Sequence, residues 1–153
     1  MTPAPAVSDL TAHLGFWLRM VSNHVSHGFA LKLADEDVTV AEWSLMRTLY
    51  GRDPTPPSHI ADEMGMTRGA ITKLADRLIA KSLVARVANE HDGRSQTLAL
   101  TEQGFARVPA LAAIADRNDG EFFDCLTPEE RQALEKILKD MAERHRLTAT
   151  PIA

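Results

Sequence analysis

Residues 67–101 read TRGAITKLADRLIAKSLVARVANEHDGRSQTLALT, and the spacing of their apolar side chains changes partway along. In the first half, Ile71, Leu74 and Leu78 recur at helical spacing, which places them on one face of an amphipathic helix. The pattern then alternates, and LVARVA and TLALT are typical of β-strands. The Asp-Gly pair between them favours a tight turn, because glycine tolerates positive φ. The stretch therefore predicts a helix followed by a β-hairpin with Arg94 at its tip.

Two shorter helices are predicted before this stretch. In TVAEWSLMRTLYG, Thr39 and Glu42 have the spacing of a capping box, and Gly51 is a natural stop. PSHIADEMGM predicts a second short helix, and Thr67 is the predicted N-cap of the helix after it. Two helices joined by a glycine turn, the second with a polar and basic exposed face, indicate a helix-turn-helix.

Long amphipathic segments flank this central region. The first, SDLTAHLGFWLRMVSNHVSHGFALKLA, covers residues 8–34, with Ser8 as its predicted N-cap. After the hairpin, Thr101 is predicted to cap a helix that contains Pro109, and Thr127 to cap the last helix through a second capping box. The predicted fold is mostly α with a small β-hairpin (α+β), in the order α-α-α-α-β-β-α-α.

The charge of the chain is unevenly distributed. The formal net charge is -4, yet residues 66–94 carry six basic and three acidic side chains. Such a local basic segment is typical of a nucleic-acid-binding surface, although a solvated helix face gives the same pattern. No apolar run approaches the roughly 18 residues that span a membrane, and the N-terminus lacks the features of a signal peptide. With Cys125 as the single cysteine, we expect a cytoplasmic protein without membrane association.

The order of elements resembles a winged helix-turn-helix, and more narrowly the multiple antibiotic resistance regulator (MarR) family. MTRGAITKLADRLIAKSLVAR is similar to the family's recognition helix and first wing strand, and HDGRSQTLALTEQG to its Asp-x-Arg wing turn, second strand and following helix start. The resemblance covers about residues 8–147. It departs at Ser82, where the family usually has glycine, and a left-handed residue other than glycine costs about 1 kcal/mol there.

The resemblance implies a single domain over residues 1–153. Within it, a winged helix-turn-helix lobe covers 35–101, and dimerisation helices cover 8–33 and 102–147. As the family's properties imply, the chain is expected to be a ligand-responsive repressor that binds double-stranded DNA, and not an enzyme.

The resemblance further implies that the recognition helix enters the major groove and the wing enters the minor groove. We expect Arg68 to bond a guanine and Ala70 to contact a thymine methyl. Arg94 is expected in the minor groove, whose negative potential attracts arginine, with Asp92 holding it or a neighbouring arginine in place. The full predicted DNA-binding set is Ser58, Thr67, Arg68, Gly69, Ala70, Thr72, Lys73, Arg77, Asp92 and Arg94.

Two members of this set have alternative or less direct roles. Arg77 is expected either to contact a phosphate or to form an internal ion pair with Asp76 or Asp92. Ser58, together with His59, begins a helix whose positive dipole end suits a phosphate.

The apolar stripes of the first and last helices need a surface to cover them. The predicted dimerisation residues are Leu10, Leu14, Leu134, Leu138 and Met141. The resemblance implies an intertwined homodimer, which reads a pseudo-palindromic operator in adjacent major-groove segments. The alternative is that these helices pack only within one chain.

Many members of the family release DNA when a small, often aromatic, anion binds between the dimer helices and the DNA-binding lobe. The resemblance therefore implies an effector that shifts the population of dimer conformations. The candidate ligand-binding residues are His13, Trp17, Trp43 and Arg47. The two tryptophans are equally explained as core residues, and no cofactor is predicted.

Other functions are weighed against this one. A winged-helix module that binds protein and not DNA has the same element order, and a redox-sensing regulator would use Cys125. Cys125 follows two phenylalanines, which favours a buried structural thiol. His24 and His27 lie one helical turn apart without an obvious third ligand, so no metal site is predicted. No nucleophile-base motif, phosphate loop or HExxH helix indicates an enzyme.

Overall fold

A computed structural model describes residues 1–89, 91–93 and 95–152. The helices are α1 (Leu14–Ala34), α2 (Val40–Leu49), α3 (Pro57–Met64), α4 (Arg68–Ala80), α5 (Glu102–Phe123) and α6 (Pro128–Arg144), and the strands are β1 (Val84–Ala88) and β2 (Gln96–Leu100). The strands form an antiparallel hairpin, so the predicted order and the mostly helical α+β fold are confirmed. Within the described residues, none of the helices has the length and apolarity that crossing a membrane requires.

The hydrophobic core lies where α2, α3 and α4 meet the base of the hairpin. Leu45, Ile60, Ile71 and Leu78 are completely buried there, and Leu33 reaches the same core from the end of α1. Burying a large aliphatic side chain contributes about 1.5–3 kcal/mol, so this cluster fixes how the three short helices pack.

Threonine side chains cap the N-termini of four of the helices. The hydroxyl of each accepts a hydrogen bond from the backbone N–H three residues later, which satisfies one of the free amides of the first turn. The four caps are Thr39, Thr67, Thr101 and Thr127. All four were predicted, including the capping boxes at Thr39 and Thr127, and are confirmed.

Ser82 turns the chain from α4 into β1. Its φ is 63°, in the left-handed region, so the serine does occupy the conformation in which glycine was expected. Two hydrogen bonds hold it there. The Leu83 N–H donates to the Leu78 carbonyl at 2.9 Å, and the Thr101 hydroxyl donates to the Ser82 carbonyl at 2.7 Å.

The first helix begins later than predicted. Ser8 does not cap it, because Leu10–Ala12 form a separate 3-10 turn and His13 is the N-cap of α1. The indole N–H of Trp17 donates to the Thr11 carbonyl at 2.9 Å. The Trp17 side chain of α1 is thus hydrogen-bonded to the backbone of the 3-10 turn. His13, which joins the turn to α1, has an extended backbone.

The glycine in the connection between the two strands does not have the backbone conformation that was expected. The connection comprises residues 89–95, and Gly93 does not have a positive φ. The Ser95 N–H instead donates to the Asp92 carbonyl, and the Asn89 N–H to the Ser95 carbonyl, both at 3.1 Å. The expectation that Gly93 takes the positive φ of a tight turn was therefore wrong.

An unpredicted β-bridge joins the loop before α3 to the hairpin. The Thr55 N–H donates to the Leu98 carbonyl at 3.0 Å, and the Leu98 N–H donates back to the Thr55 carbonyl at 2.9 Å. The prolines around Thr55 hid this pairing, because proline is depleted in strands. The bridge fixes the start of α3 against β2.

The outer helices differ in how well this chain covers them. α5 packs on α1, where the Asn118 side chain donates to the Val25 carbonyl at 3.2 Å and accepts from Lys32 at 2.8 Å. By contrast, α6 has no buried residue. The apolar side of α6 is therefore left uncovered by the described part of its own chain.

Gly104 sets the close approach of α5 to the segment that enters β1. A Cβ atom at Gly104 would lie 2.0 Å from the Leu83 carbonyl oxygen, which belongs to the backbone and cannot rotate away. We expect Gly104→Ala to lower the free energy of unfolding by about 1–3 kcal/mol, as measured by urea denaturation. In the same helix, a Cβ atom at Gly120 would have no neighbouring atom within 4 Å. Because alanine favours the helical conformation over glycine, Gly120→Ala should raise the free energy of unfolding by about 1 kcal/mol. Equal effects of the two substitutions would contradict this account.

Candidate DNA-binding interface

The first half of α4 presents a polar surface, and its other face is core. Ile71, Leu74, Ala75 and Leu78 are buried, which confirms the predicted apolar stripe. Ala70 is half-buried at the edge of the polar surface. The exposed residues of this surface are Thr67, Arg68, Gly69, Thr72 and Lys73.

Two threonine hydroxyls on this surface already take part in the helix. The Thr67 hydroxyl oxygen accepts from the Ala70 N–H at 3.1 Å, and the Thr72 hydroxyl donates to the Arg68 carbonyl at 3.0 Å. Thr72 therefore offers an outside partner only an acceptor lone pair and a methyl group, whereas Thr67 retains its proton to donate. A thymine methyl suits Thr72, and a phosphate or base acceptor suits Thr67.

Arg68 and Lys73 are the uncommitted cations of this surface. In the part of the chain that the structure describes, neither takes part in an ion pair, whereas Arg77, Lys81 and Arg86 each pair with a carboxylate. The N-terminal end of a helix dipole is also positive. The first half of α4 thus combines two available cations with a favourable backbone dipole for an anionic partner.

A buried carboxylate holds the end of α4. Glu42 on α2 is 1% exposed, and the Lys81 ammonium lies 3.1 Å from each of its two oxygens. The Arg77 Nε lies 3.8 Å from Oε2, and the Thr39 N–H donates to Oε1 at 2.9 Å. We call Glu42, Arg77 and Lys81 the Glu42 clamp. Although Oε2 faces the ammonium, it receives no hydrogen bond from any described residue.

The Glu42 carboxylate is ionised in spite of its burial. Burial raises the pKa of Glu42, but the hydrogen bond from the Thr39 N–H and the hydrogen bond and charge of Lys81 together lower the pKa below its ordinary value. The sequence had indicated Glu42 only as a helix cap. The signal that was missed is the pair Arg77 and Lys81, four residues apart on one helix face, which need a shared anion.

The ion pairs of α4 differ from those predicted. Asp76 pairs with Arg86 of β1 and not with Arg77. Arg77 instead faces Glu42, and its guanidinium also donates to the Thr39 hydroxyl at 3.2 Å. Of the alternatives predicted for Arg77, the pair with Asp76 is therefore wrong, because α2 supplies a buried carboxylate instead. The phosphate contact stays a prediction.

The wing arginine lies outside the described residues. The minor-groove role of Arg94, and the role of Asp92 in holding it or a neighbouring arginine in place, therefore stay predictions. The strand that leads to it is anchored to α4, since Arg86 bonds Asp76. The wing and the recognition helix are thus fixed to each other at their bases.

The start of α3 offers a further anion contact. The Ser58 N–H has no hydrogen-bond partner among the described residues, whereas the next two amides both donate to the Pro56 carbonyl. Ser58 is half-buried, and His59 is exposed. The free amide lies at the positive end of α3, where a phosphate oxygen would complete its bonding.

A cavity of about 1010 Å³ lies between the outer helices and the lobe. Phe29 of α1, Trp43 of α2 and Ala115 of α5 form apolar parts of its wall. Arg77 and Lys81 also line it, so the clamp forms part of the same wall.

The four predicted ligand-binding residues do not come together. Trp43 lines the cavity, but His13, Trp17 and Arg47 do not. His13 and Trp17 belong to the exposed start of α1, and Arg47 lies over the ring of Tyr50 at 5.6 Å. The cations that line this cavity are Arg77 and Lys81, and a ligand-binding role for the four residues stays a prediction.

The predicted dimerisation residues lie on uncovered surfaces of this chain. Leu10 and Leu14 are 74% and 82% exposed, and Leu138 and Met141 are exposed along α6. Leu134 is half-buried. Apolar side chains exposed in such a row are typical of a surface that another protein covers.

Cys125 is exposed, so the expectation of a buried thiol was wrong. It lies in the turn after α5, where its thiol faces the Phe122 carbonyl at 3.6 Å and the neighbouring phenylalanines turn inward instead. The His24 ring packs against Phe122 with centroids 5.4 Å apart. Within the described ranges, no three side chains of the metal-binding types form a cluster.

Comparisons with known proteins agree with this geometry. The model of the MarR family matches residues 36–95. The HTH-type transcriptional repressor MdtR of Bacillus subtilis (strain 168) is 30% identical over 108 residues, which cover 71% of this chain and 70% of MdtR. The multiple antibiotic resistance protein MarR of Escherichia coli (strain K12) is 26% identical over 127 residues, which cover 82% of this chain and 88% of MarR.

Solved structures show the same architecture. A mutant of MarR from E. coli in complex with operator DNA has a TM-score of 0.76 at 26% identity, over 88% of this chain and 99% of that chain. The apo form of wild-type MarR from E. coli has a TM-score of 0.72 at 25% identity, over 84% of this chain and 96% of that chain.

Neutralising the clamp should weaken the fold in a pH-dependent way. Because folding lowers the pKa of Glu42, its stabilisation is present above the unfolded value of about 4.3 and is lost as the pH falls through the folded value. We expect Glu42→Gln to lower the free energy of unfolding at pH 7 by about 1–3 kcal/mol in urea denaturation. The difference from wild type should shrink on going to about pH 3.

The matched control is Glu63→Gln. Glu63 pairs with Arg52 at 2.9 Å on the surface, where an ion pair contributes only about 0–1 kcal/mol. A difference between wild type and Glu42→Gln that stays constant with pH would show that the charge of Glu42 is not what stabilises the clamp.

Proposed function

The chain belongs to the MarR family, and on that premise we propose that it is a sequence-specific DNA-binding transcriptional regulator. We further infer that it is a ligand-responsive repressor, which acts as a homodimer on a pseudo-palindromic operator. The family comprises transcriptional regulators and not enzymes. The proposal of a repressor is supported by the similarity to MdtR, which is a transcriptional repressor.

The observation that carries this proposal is the pair of uncommitted cations on the exposed half of α4. Arg68 has the fork of donors that bonds the O6 and N7 atoms of a guanine. Lys73 is a point charge that suits a phosphate. Both lie on the helix that the Glu42 clamp fixes to α2, so their positions are set before DNA binds.

The rest of the proposed interface surrounds this pair. Thr67, Gly69, Ala70 and Thr72 complete the major-groove surface, and the free amide of Ser58 supplies a phosphate contact. By the family resemblance, Arg94 and Asp92 act at the minor groove. Arg77 is the weakest member of the set, because Glu42 and Thr39 already engage its guanidinium.

The homodimer is proposed from the uncovered apolar faces of α1 and α6. Leu10, Leu14, Leu138 and Met141 are exposed in the single chain, and a second copy related by a two-fold axis would bury them. Such a dimer spaces two α4 helices for adjacent major-groove segments, about 34 Å apart.

The proposed effector is a small aromatic or other anion that enters the cavity. Phe29 and Trp43 suit an aromatic ring, while Arg77 and Lys81 suit its negative charge. These two cations are the ones that Glu42 holds, so an anion in the cavity competes with Glu42 for them. Competition of this kind loosens the hold on α4, and thereby favours a conformation that binds DNA less well.

The proposed roles of the two cations can be separated by their salt dependence. We expect Lys73→Ala to weaken binding to all DNA sequences and to reduce the slope of log affinity against log salt by about 1. Arg68→Ala should cost about 1–3 kcal/mol on the preferred site and relax specificity at one base pair. The measurement is fluorescence anisotropy with a site selected from a random DNA pool.

The control for the loss of positive charge is Lys139→Ala, on the exposed surface of α6 where Lys139 pairs with Glu135. It should leave both the affinity and the slope unchanged. If all three variants bind alike, α4 is not the reading surface. If wild type binds no DNA selectively, the chain is a winged-helix module for another kind of partner.

The homodimer prediction is tested on α6. Leu138→Asp places a charge in the proposed apolar interface, and should shift the protein from dimer to monomer because a buried unpaired charge is costly. Analytical ultracentrifugation measures the shift. Gln132→Asp adds the same charge on the same helix, and should leave the dimer intact if Gln132 lies outside the interface. A Leu138→Asp variant that remains dimeric would rule out this face.

A further inference from the structure

After α6 the chain turns back towards the lobe. Arg146 has a φ of 54°, and the Leu147 N–H donates to the Ala142 carbonyl at 2.9 Å. This is the bonding of a Schellman motif, with an arginine where glycine is usual. The left-handed conformation is strained for arginine, so contacts made further along must favour the returning path.

Those contacts lie at the turn of the helix-turn-helix. The Thr150 N–H donates to the Met64 carbonyl at 3.0 Å. Met64 is the last residue of α3, where carbonyls lack partners within the helix, so the tail supplies one of the missing donors. The next residue, Gly65, has a φ of 65°, and a Cβ atom there would lie 2.7 Å from the Cα of Ala149. Glycine is thus required both for the turn and for the close approach of the tail.

Beyond the turn, the tail enters the cavity wall. Thr150, Pro151 and Ile152 all line the cavity, opposite residues of α1, α2 and α5. Ile152 is half-buried and packs against the hydrophobic core of the lobe. The tail therefore has an apolar anchor in addition to its backbone hydrogen bond.

We propose that residues 147–152 form a strap that gates the cavity. In its docked state the strap ties the end of α6 to the α3–α4 turn and covers part of the cavity. In its released state the cavity is open, and the turn loses its connection to α6. The strap is thus a two-state element between the outer helices and the helix that carries Arg68. This inference goes beyond DNA binding and does not depend on it.

The docked state has a direct signature. In the full chain, the Thr150 amide should exchange slowly with deuterium, because it is bonded to Met64. Exchange measured by NMR tests this one amide. If it exchanges as fast as a free peptide, the strap is not docked in solution and the proposal is overturned.

Gating is tested with anilinonaphthalene sulfonate, an aromatic anion, as the probe. Ile152→Asn removes the apolar anchor, and a chain that ends at Leu147 removes the docked segment while keeping the end of α6. Both should bind the probe more tightly, by about tenfold if the docked state is populated to about 90%. The control is Thr148→Asn, an exposed residue of the same strap, which should bind it as wild type does.

Circular dichroism and thermal unfolding establish that each variant is folded before the probe is added. Folded Ile152→Asn and truncated chains that bind the probe no better than wild type would overturn the gating. Protection of the Thr150 amide that is lost in Ile152→Asn but kept in Thr148→Asn would support the strap. Probe binding and amide exchange are both measured without DNA. A failure of the strap proposal can therefore be distinguished from a failure of the DNA-binding proposal.

Discussion

One buried carboxylate holds the C-terminal end of the recognition helix against α2. Glu42 lies on α2, and the two cations that face it come from the end of α4 and its C-cap. Because a buried charge is costly without partners, Glu42, Arg77 and Lys81 must stay together in the folded protein. The polar face of the first half of α4 takes no part in this ion pairing, and Arg68 and Lys73 remain unpaired among the described residues.

The clamp also connects the parts that a regulator needs. Its cations line the cavity between the outer helices and the lobe, where the proposed effector would meet the same two groups that Glu42 holds. The strap reaches the opposite end of the helix-turn-helix, at the Gly65 turn. α4 is therefore held at its C-terminal end by charge, and the turn before its N-terminal end is held by the chain's own tail. On the proposals above, a change in either contact would alter the position of the reading surface.

The fold was predictable from the sequence because its signals are local. Caps such as Thr39 and Thr127, the apolar stripe of α4 and the alternation of the hairpin each depend on neighbours within a few residues. The exposed face of α4 could be predicted because it lies opposite the apolar stripe of the same helix. The long-range pairs were not predictable. Glu42 meets Lys81 across 39 positions, and Thr55 pairs with Leu98 through a proline-rich loop. That Arg77 and Lys81 line the cavity was not predictable for the same reason, since no local pattern tells which elements face one another.

The surface of the protein that contacts DNA can be mapped directly by NMR. Amide chemical shifts recorded during titration with a selected DNA site would locate the surface that DNA touches. We expect the largest changes on residues 67–73 and on Ser58, with little change along the exposed face of α2 around Arg47. Changes spread over the outer helices, with residues 67–73 unaffected, would contradict this expectation.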